Sequence, residues 1–233
     1  MFIRAVAGLL TVLCVAEAQQ VHLRGLQVTP PEGTSLSASE YEGLVGLLVQ
    51  EGELGVLGNA TTKLTPLYWT AAHGTAWRKV LVRVGDAEPL VFIIRKDNYV
   101  FGAFISDRLL LSDDYPTDRR EYESDVWLFS LAGHFPQPTK INLYGGGQIV
   151  RVAERRGAVY GARVWIGGRF SLAMGYGGDG RSAAADIRSC RHYTTGSDVP
   201  EGYTGVKNEN GTAFLGGSME FMADDIEVLH VIG

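Results

Sequence analysis

The chain has 233 residues, of which 45% are hydrophobic and 20% are charged, and this composition is typical of a globular rather than a disordered protein. A chain of this length can bury one large core without disulfide or metal cross-links. Its formal net charge of -5 argues against non-specific binding to nucleic acid, which needs clustered lysine and arginine. We therefore expect a single domain with no nucleic-acid partner.

The N-terminus has the pattern of a secretory signal peptide, which we expect to span residues 1–18. Arg4 supplies a positive charge, an apolar stretch runs over residues 5–15, and Ala18 ends a small-x-small signal peptidase site. The stretch is shorter than the ~20 residues that a transmembrane helix needs. We expect cleavage after Ala18, a mature chain from Gln19 without a membrane span, and a secreted or lumenal location. A mis-started gene model or a buried N-terminal segment is the alternative, with a cytoplasmic location.

Cysteines and glycosylation motifs give weaker indications of location. Cys14 lies in the expected signal peptide, so the mature chain would keep only Cys190 and form no internal disulfide. Cys190 is either a small buried apolar residue or a candidate redox thiol, whose pKa two nearby arginines would lower. Asn59 and Asn210 each begin an Asn-x-Thr tripeptide and are candidate N-glycosylation sites if the chain enters the secretory lumen.

Two helices are predicted in the first half of the chain. Residues 19–35 contain a proline pair and predict an irregular lead-in. Ser37 and the glutamate three positions later fit a capping box, and apolar residues at helical spacing continue to Gln50. An apolar stripe over residues 75–84 predicts a second helix, with Thr75 as its candidate N-cap.

Short β runs then dominate the sequence. The apolar runs 90–94 and 99–105, joined by Asp97-Asn98, predict a hairpin, and the polar segment 113–125 predicts a surface loop. Glycine clusters separate the later runs. Further strands are predicted at 126–131, 148–152, 158–166, 170–174, 184–187, 213–215 and 226–232. This pattern indicates an α+β fold, mainly β, built as a sandwich or as strongly bent sheets.

Several short motifs lie along the chain in a characteristic order. They are Leu67-Tyr68-Trp69, His73 to Trp77, Val100 to Phe104, Trp127 to Leu131, Ile166-Gly167-Gly168, Gly177 to Gly180, Asp186-Ile187 and Phe221 to Val228. In order and spacing together, they resemble the TLDc domain family. The resemblance implies one domain over residues 36–233, folded as a β-sandwich of antiparallel sheets flanked by short helices, without a recognised catalytic centre or cofactor.

The resemblance also implies functions. Cytosolic TLDc proteins are associated with protection against oxidative stress and with binding and regulating the vacuolar proton ATPase. The chain departs from the family at Ala103, which follows Gly102 where a second glycine is usual, and at Leu229, where an aromatic residue is frequent. A lumenal protein cannot reach the cytosolic sector of this ATPase, so we expect that partner only if the protein is cytosolic.

Three groups of residues are candidates for chemistry, and each has a structural alternative. Gly175 to Gly180 lacks the Gly-Lys-Ser/Thr of a phosphate-binding loop and predicts a turn. Cys190 and the histidine two positions later would share one face of a strand, but no second ligand pair supports a metal site. Asp224, Asp225 and Glu227 are either calcium-binding or acid–base carboxylates, or a polar start to the last strand.

No catalytic, cofactor-binding or metal-binding residue is assigned from the sequence, and no cofactor is expected. The alternative is a small secreted hydrolase, which predicts a cleft with a histidine or carboxylate pair; His73, His134 and His192 lying far apart, with no shared pocket, would count against it. We expect instead a non-catalytic protein-interaction module with an unidentified protein partner. Its candidate interaction surface consists of Tyr176, Tyr193, Tyr203 and Glu227.

Overall fold

The computed structural model of the chain describes residues 29–50, 63–111, 119–143, 147–154, 159–168, 172–194 and 199–232. The expected signal peptide with its cleavage site at Ala18, and the sequon at Asn59, lie outside these residues. In the described part, antiparallel strands predominate and helices are few and short, which confirms the expected α+β, mainly β fold.

The helices of the described part are α1 (Ala38–Gln50), α2 (Thr70–His73) and α3 (Trp77–Val84). The capping box expected at the start of α1 is present. The Ser37 hydroxyl accepts the Glu40 N–H at 3.3 Å, and the Glu40 carboxylate accepts the Ser37 N–H at 2.8 Å. None of the described helices combines the length and the apolar character that crossing a membrane requires.

The sequence predicts α3 correctly in its apolar stripe but not in its cap. The apolar residues of α3 are buried, as predicted. The residue before the helix is Ala76, whose side chain makes no capping bond. The Thr75 carbonyl accepts the Ile187 N–H at 2.9 Å, so the residue expected to cap the helix is held by a tertiary backbone contact instead.

The described residues contain sixteen strands. They are β1 (Lys63–Trp69), β2 (Leu90–Lys96), β3 (Tyr99–Ile105), β4 (Arg119–Glu123), β5 (Val126–Ala132), β6 (Thr139–Ile141), β7 (Ile149–Ala153), β8 (Tyr160–Gly161), β9 (Val164–Ile166), β10 (Leu172–Met174), β11 (Gly178–Ser182), β12 (Ser189–His192), β13 (Val206–Lys207), β14 (Ala213–Phe214), β15 (Glu220–Met222) and β16 (Asp225–Ile232).

Two six-stranded antiparallel sheets carry the fold. The first has the order β1-β16-β2-β3-β5-β6, so the last strand of the domain lies beside the first. Strands β2 and β3 form the predicted hairpin, with Leu90 opposite Ile105. The second sheet has the order β15-β12-β10-β9-β7-β4, and β11 with β8 and β13 with β14 form two small sheets.

The sheets and helices form three layers. Apolar residues from the facing sides of the two sheets, together with α3, make the larger core cluster. The other side of the first sheet packs against α1 and makes the second cluster. Across the larger core, the Trp77 indole N–H of α3 donates to the carbonyl of Ala153 on β7 at 3.2 Å. Helix α1 therefore covers the outside of the first sheet, while α3 links the two sheets.

Three strand predictions are wrong in their bounds or type. Part of the predicted loop 113–125 is β4, an edge strand in which four of the five residues are charged, so it lacks the usual apolar pattern. The predicted strand 158–166 is broken after Gly161, which has a φ of 86°. The predicted strand 184–187 is a turn, in which the Asp186 carboxylate accepts the Arg188 N–H at 2.9 Å. The strand, β12, begins only at Ser189.

Candidate functional site

The outer face of the second sheet carries aromatic side chains around an arginine. Arg191 lies on β12 and points to this face, because Cys190 and His192 on either side of it point into the core. The guanidinium carbon of Arg191 lies 5.3 Å from the centre of the Tyr176 ring and 5.5 Å from that of Tyr193. Both distances are within the ~6 Å over which a cation is attracted to an aromatic face.

Tyr176 anchors this cluster to the sheet. Its ring packs against Ala162 and Ala173 and meets the edge of Trp165 at 5.8 Å, and the residue is only 4% exposed. The hydroxyl donates to the Asp179 carboxylate at 2.9 Å. Burial, together with this bond, raises the pKa of Tyr176 to about 12. The expected exposure of Tyr176 is therefore wrong, because the chain after β10 turns the ring back onto the sheet.

Edge strand β15 borders the aromatic cluster. It pairs with β12 on one side and is the last strand of the second sheet. Met222 of this strand is 51% exposed, and Met219 just before it is 37% exposed. The Arg191 Nη2 atom lies 3.7 Å from the sulfur of Met219, which joins the methionines to the cluster. The name Arg191 face is used below for Tyr176, Arg191, Tyr193, Met219 and Met222.

The other two residues of the expected surface lie elsewhere. Tyr203 is half-buried and stacks on His134, with the ring centres 5.6 Å apart. Glu227 is 1% exposed and belongs to the first sheet, where its Oε2 accepts the N–H and the hydroxyl of Ser35 at 2.9 and 2.6 Å. Burial raises the pKa of the Glu227 carboxyl. Glu227 thus binds the segment before α1 to the first sheet through Ser35. The prediction that Glu227 lies on an exposed surface is wrong.

The Cys190 thiol is sealed between the two sheets. Burial raises the pKa of Cys190, and the negative charge of Asp186 acts in the same direction. This direction is opposite to the predicted one, because Arg188 pairs with Asp186 at 2.8 Å and Arg191 points to the other face. A raised pKa keeps the thiol protonated, whereas the thiolate is the reactive form. The geometry therefore favours a structural Cys190.

Two of the three histidines in the enzyme hypothesis meet, but they meet in the core. The His134 Nε2–H donates to the Leu215 carbonyl at 2.9 Å, and His192 Nδ1 accepts the Leu215 N–H at 3.3 Å. The Ser130 hydroxyl donates to His134 Nδ1 at 2.8 Å. Burial lowers the pKa of His134 to about 4 and that of His192 to about 3. All three side chains are buried, so a substrate in solvent would not reach this Ser–His pair.

The remaining histidine and carboxylates of interest are engaged in local bonds. His73 Nδ1 accepts the Trp69 N–H at 3.0 Å, so His73 does not join the other two histidines. The Asp225 carboxylate accepts bonds from the Trp69 indole and from a neighbouring threonine, and Asp224 accepts the Asp97 N–H at 2.6 Å. Among the described residues, no three His, Cys, Asp or Glu side chains are grouped so as to hold a metal ion.

The glycine run 175–180 serves close packing of the backbone. Its second half belongs to β11, so it is not only the turn that the sequence predicts. A side-chain carbon on Gly177 would overlap the carbonyl oxygen of Ser182. The glycines thus allow the chain to fold tightly over the outer face, which places Tyr176 beside Arg191.

The family follows from a comparison over almost the whole described fold. The model of the TLDc domain matches residues 36–232, from the start of α1 to the end of β16. The chain belongs to the TLDc family. A search of curated proteins found no match. The Arg191 face and the buried histidines therefore lie within the TLDc domain.

The departure from the TLDc pattern on β3 has a simple packing explanation. A side-chain carbon on Gly102 would overlap the Phe92 carbonyl oxygen of β2 and press on the Phe129 ring. Ala103 points to the opposite side and its methyl group is buried in the core between the sheets. Only the first position of this motif requires glycine here, so alanine at the second position is compatible with the fold.

Sequence reasoning missed three residues of the Arg191 face: Arg191, Met219 and Met222. Arg191 lies between two buried residues on β12, and this alternation is the signal that could have located it. The sequence places Cys190 and His192 on one face of an extended segment, and Arg191 between them lies on the opposite face. The methionines carry no such signal, because their exposure depends on β15 being the last strand of its sheet.

Proposed function

We propose that this chain is a non-catalytic protein-interaction module of the TLDc type that works in the secretory pathway. The observation that carries the proposal is the position of the Arg191 face beside an edge strand. An edge strand presents backbone groups that an extended segment of another protein can pair with. The side chains suited to chemistry, Cys190, His134 and His192, are instead buried in the core.

The composition of the Arg191 face suits a protein partner. Tyrosine, arginine and methionine are enriched in protein–protein interfaces. Tyr176 and the paired strand β12 hold the Arg191 guanidinium in place, so little side-chain freedom would be lost when a partner binds. Met219 and Met222 add flexible apolar contacts that adapt to the shape of a partner.

The secretory location rests on the signal-peptide pattern of residues 1–18 and on the sequon at Asn210. Asn210 is exposed on the hairpin between β13 and β14. The Asn208 side chain accepts the Asn210 and Thr212 N–H groups at 3.0 and 2.9 Å, which holds the backbone of the turn that carries this exposed sequon. A role in oxidative-stress protection would then act through a bound partner, because the Cys190 thiol is buried with a raised pKa.

The alternative function applies if residues 1–18 stay on the chain and the protein is cytosolic. It would then act, like the cytosolic members of its family, as a regulator that binds the vacuolar proton ATPase. The two functions exclude each other, because the sector that such a regulator would contact faces the cytosol.

The interaction is tested with two exposed apolar positions on different faces. Met222→Asp places a charge on the Arg191 face, and Val82→Asp places one on α3, where Val82 is 68% exposed. Each variant and the wild-type protein are cross-linked to neighbours in the producing cells, and the cross-linked proteins are quantified by mass spectrometry. We expect the same protein to be lost with Met222→Asp and kept with Val82→Asp. Equal recovery with both variants would contradict the proposed surface.

A further inference from the structure

Two buried histidines hold one residue of the chain between them. His134 follows β5 of the first sheet, His192 ends β12 of the second, and Leu215 follows the hairpin β13–β14. The Leu215 carbonyl accepts from His134, and its N–H donates to His192. The backbone of one residue thus joins the hairpin to both sheets.

The bond partners decide where each ring carries its proton. The Leu215 carbonyl can only accept, so His134 carries its proton on Nε2 and receives the Ser130 hydroxyl at Nδ1. The Leu215 N–H can only donate, so His192 Nδ1 is unprotonated and its proton is on Nε2. The Nε2 atom of His192 is buried without a hydrogen-bond partner in the described part of the chain.

A second proton would affect the two histidines differently. At His134 it would be added to Nδ1, where the Ser130 hydroxyl can rotate and accept it. At His192 it would be added to Nδ1, where it would meet the Leu215 N–H, and two donors repel each other. Neither nitrogen of a charged His192 would have an acceptor, and a buried charge without partners is strongly unfavourable.

Among the described residues, the hydrogen-bond and ring partners of the two imidazoles include no negative charge that would offset this. The side chains in contact with the pair are aromatic or hydroxyl: Tyr99 and Phe101 from β3, Ser130 from β5 and Tyr203 from the chain before β13. Cys190 lies two positions before His192 on β12, and the Lys207 amino group lies 5.2 Å from the centre of the Tyr203 ring. No carboxylate of the described residues is hydrogen-bonded to either imidazole.

The rest of the hairpin depends on the same contacts. Tyr203 stacks on His134, and the Thr204 N–H and hydroxyl donate to the His134 carbonyl at 2.8 and 3.1 Å. Beyond them, a bridge between Thr194 and Ala213 is a further backbone link from the hairpin to β12. Losing the Leu215 bonds would therefore weaken the attachment of the whole segment 203–215.

We propose that His192 and Leu215 form an acid-released latch, which holds the segment 203–215 on the sandwich at neutral pH and releases it as the pH falls. The released segment would uncover the apolar residues beneath it, so the exposed surface of the domain would differ between neutral and acidic compartments. The latch is independent of the Arg191 face and of where the protein is located.

Hydrogen exchange measures this opening directly. If the open segment returns His192 from a pKa of about 3 to its ordinary value of 6.5, this histidine alone raises the opening constant about thirty-fold between about pH 7.5 and about pH 5. The readout is the protection of the backbone amides of residues 203–215, corrected for the pH dependence of intrinsic exchange. An unchanged opening constant in the wild-type protein would overturn the proposal.

Two variants separate the latch from general acid effects. His192→Asn keeps an acceptor near the Nδ1 position but cannot be protonated. His134, whose pKa burial also lowers, remains in this variant, so the rise of the opening constant should be smaller than in the wild type by the roughly thirty-fold factor that His192 supplies. His230→Asn removes a histidine outside the core, whose Nε2 lies 3.0 Å from the Glu88 carbonyl oxygen, and should keep the full wild-type rise. A full rise in His192→Asn would overturn the proposal.

A measurement on the wild-type protein covers the case in which His192→Asn does not fold. NMR of labelled histidine rings follows the protonation of His192 while the amides of the segment 203–215 are monitored in the same sample. The proposal expects the His192 ring to become charged only together with loss of amide protection. A ring that becomes charged while the segment remains protected would overturn it.

Discussion

Replacing Glu227 with glutamine should change the stability of the domain far less than replacing it with alanine. The Glu227 carboxylate accepts two bonds from Ser35, and its second oxygen is buried without a partner among the described residues. Glutamine keeps an oxygen that can accept the same bonds, and it removes a charge that is costly to bury. Alanine removes both bonds and leaves a cavity.

The sizes follow from these contacts. A hydrogen bond to a charged group contributes about 1.5–3 kcal/mol, so Glu227→Ala should lower the free energy of unfolding by about 3–5 kcal/mol. In Glu227→Gln the hydrogen bonds from Ser35 are weaker, but the cost of burying a charged group is smaller. The free energy of unfolding should therefore stay within about 1 kcal/mol of the wild type. A domain of this kind has only about 5–15 kcal/mol of stability, so the two variants are easily distinguished.

The pH dependence has a definite sign. Burial raises the pKa of the Glu227 carboxyl above its ordinary value of 4.5, although the Ser35 bonds and Arg95 act in the opposite direction. The folded state therefore binds the proton more tightly than the unfolded state. The stabilisation by this group is complete below the ordinary pKa and is lost as the pH rises through the folded pKa. Glu227→Gln should remove this dependence.

Urea unfolding of the wild type, Glu227→Gln and Glu227→Ala at several fixed pH values measures both effects. Glu220→Gln, on the exposed edge strand β15, is the matched control and should leave the midpoint unchanged. If Glu227→Gln destabilised the domain as much as Glu227→Ala, the negative charge itself would be required. That result would refute the structural role assigned to Glu227.

Three further outcomes follow from the packing. Gly102→Ala should lower the free energy of unfolding by at least about 2 kcal/mol, because the added methyl group would overlap β2. Ala103→Gly should lower it by only about 1–2 kcal/mol. Equal effects of the two variants in urea unfolding would contradict the close approach at Gly102. Cys190 should not react with a maleimide in the folded protein and should react after denaturation, and peptide mapping identifies the labelled residue. Labelling of the folded protein at the rate of a free thiol would contradict the burial of Cys190. Ser37→Ala should cost about 1 kcal/mol in the same unfolding assay by removing one bond of the capping box, and an unchanged midpoint would contradict that bond.

Local patterns were sufficient to predict the elements that local forces determine. The capping box at Ser37 and the hairpin of β2 and β3 depend on residues close in sequence, and both are present as predicted. Strand β12 was placed too early because the Asp186 side chain makes a turn where apolar residues suggest a strand. Strand β4 was missed because an edge strand needs no apolar alternation.

The site was harder to predict because it depends on contacts between distant parts of the chain. Tyr176 and Glu227 lie in polar surroundings in the sequence, yet both are buried, one by the chain that folds over the second sheet and the other by the segment before α1. Likewise, His134 and His192 meet only through Leu215. Tyr176 and Tyr193, two residues of the expected interaction surface, share Arg191 as a partner, and this contact also depends on distant parts of the chain.

The location of the mature protein decides which kind of partner the module can have. The most direct measurement is the N-terminal sequence of the protein purified from its own cells, with glycosidase digestion of the wild type and of Asn59→Gln and Asn210→Gln. We expect a start near Gln19 and a sugar that Asn210→Gln removes, which would place the Arg191 face in the secretory lumen. A start at Met1 or Phe2 with no sugar would contradict the secretory function and leave the cytosolic proton-ATPase regulator as the function to test.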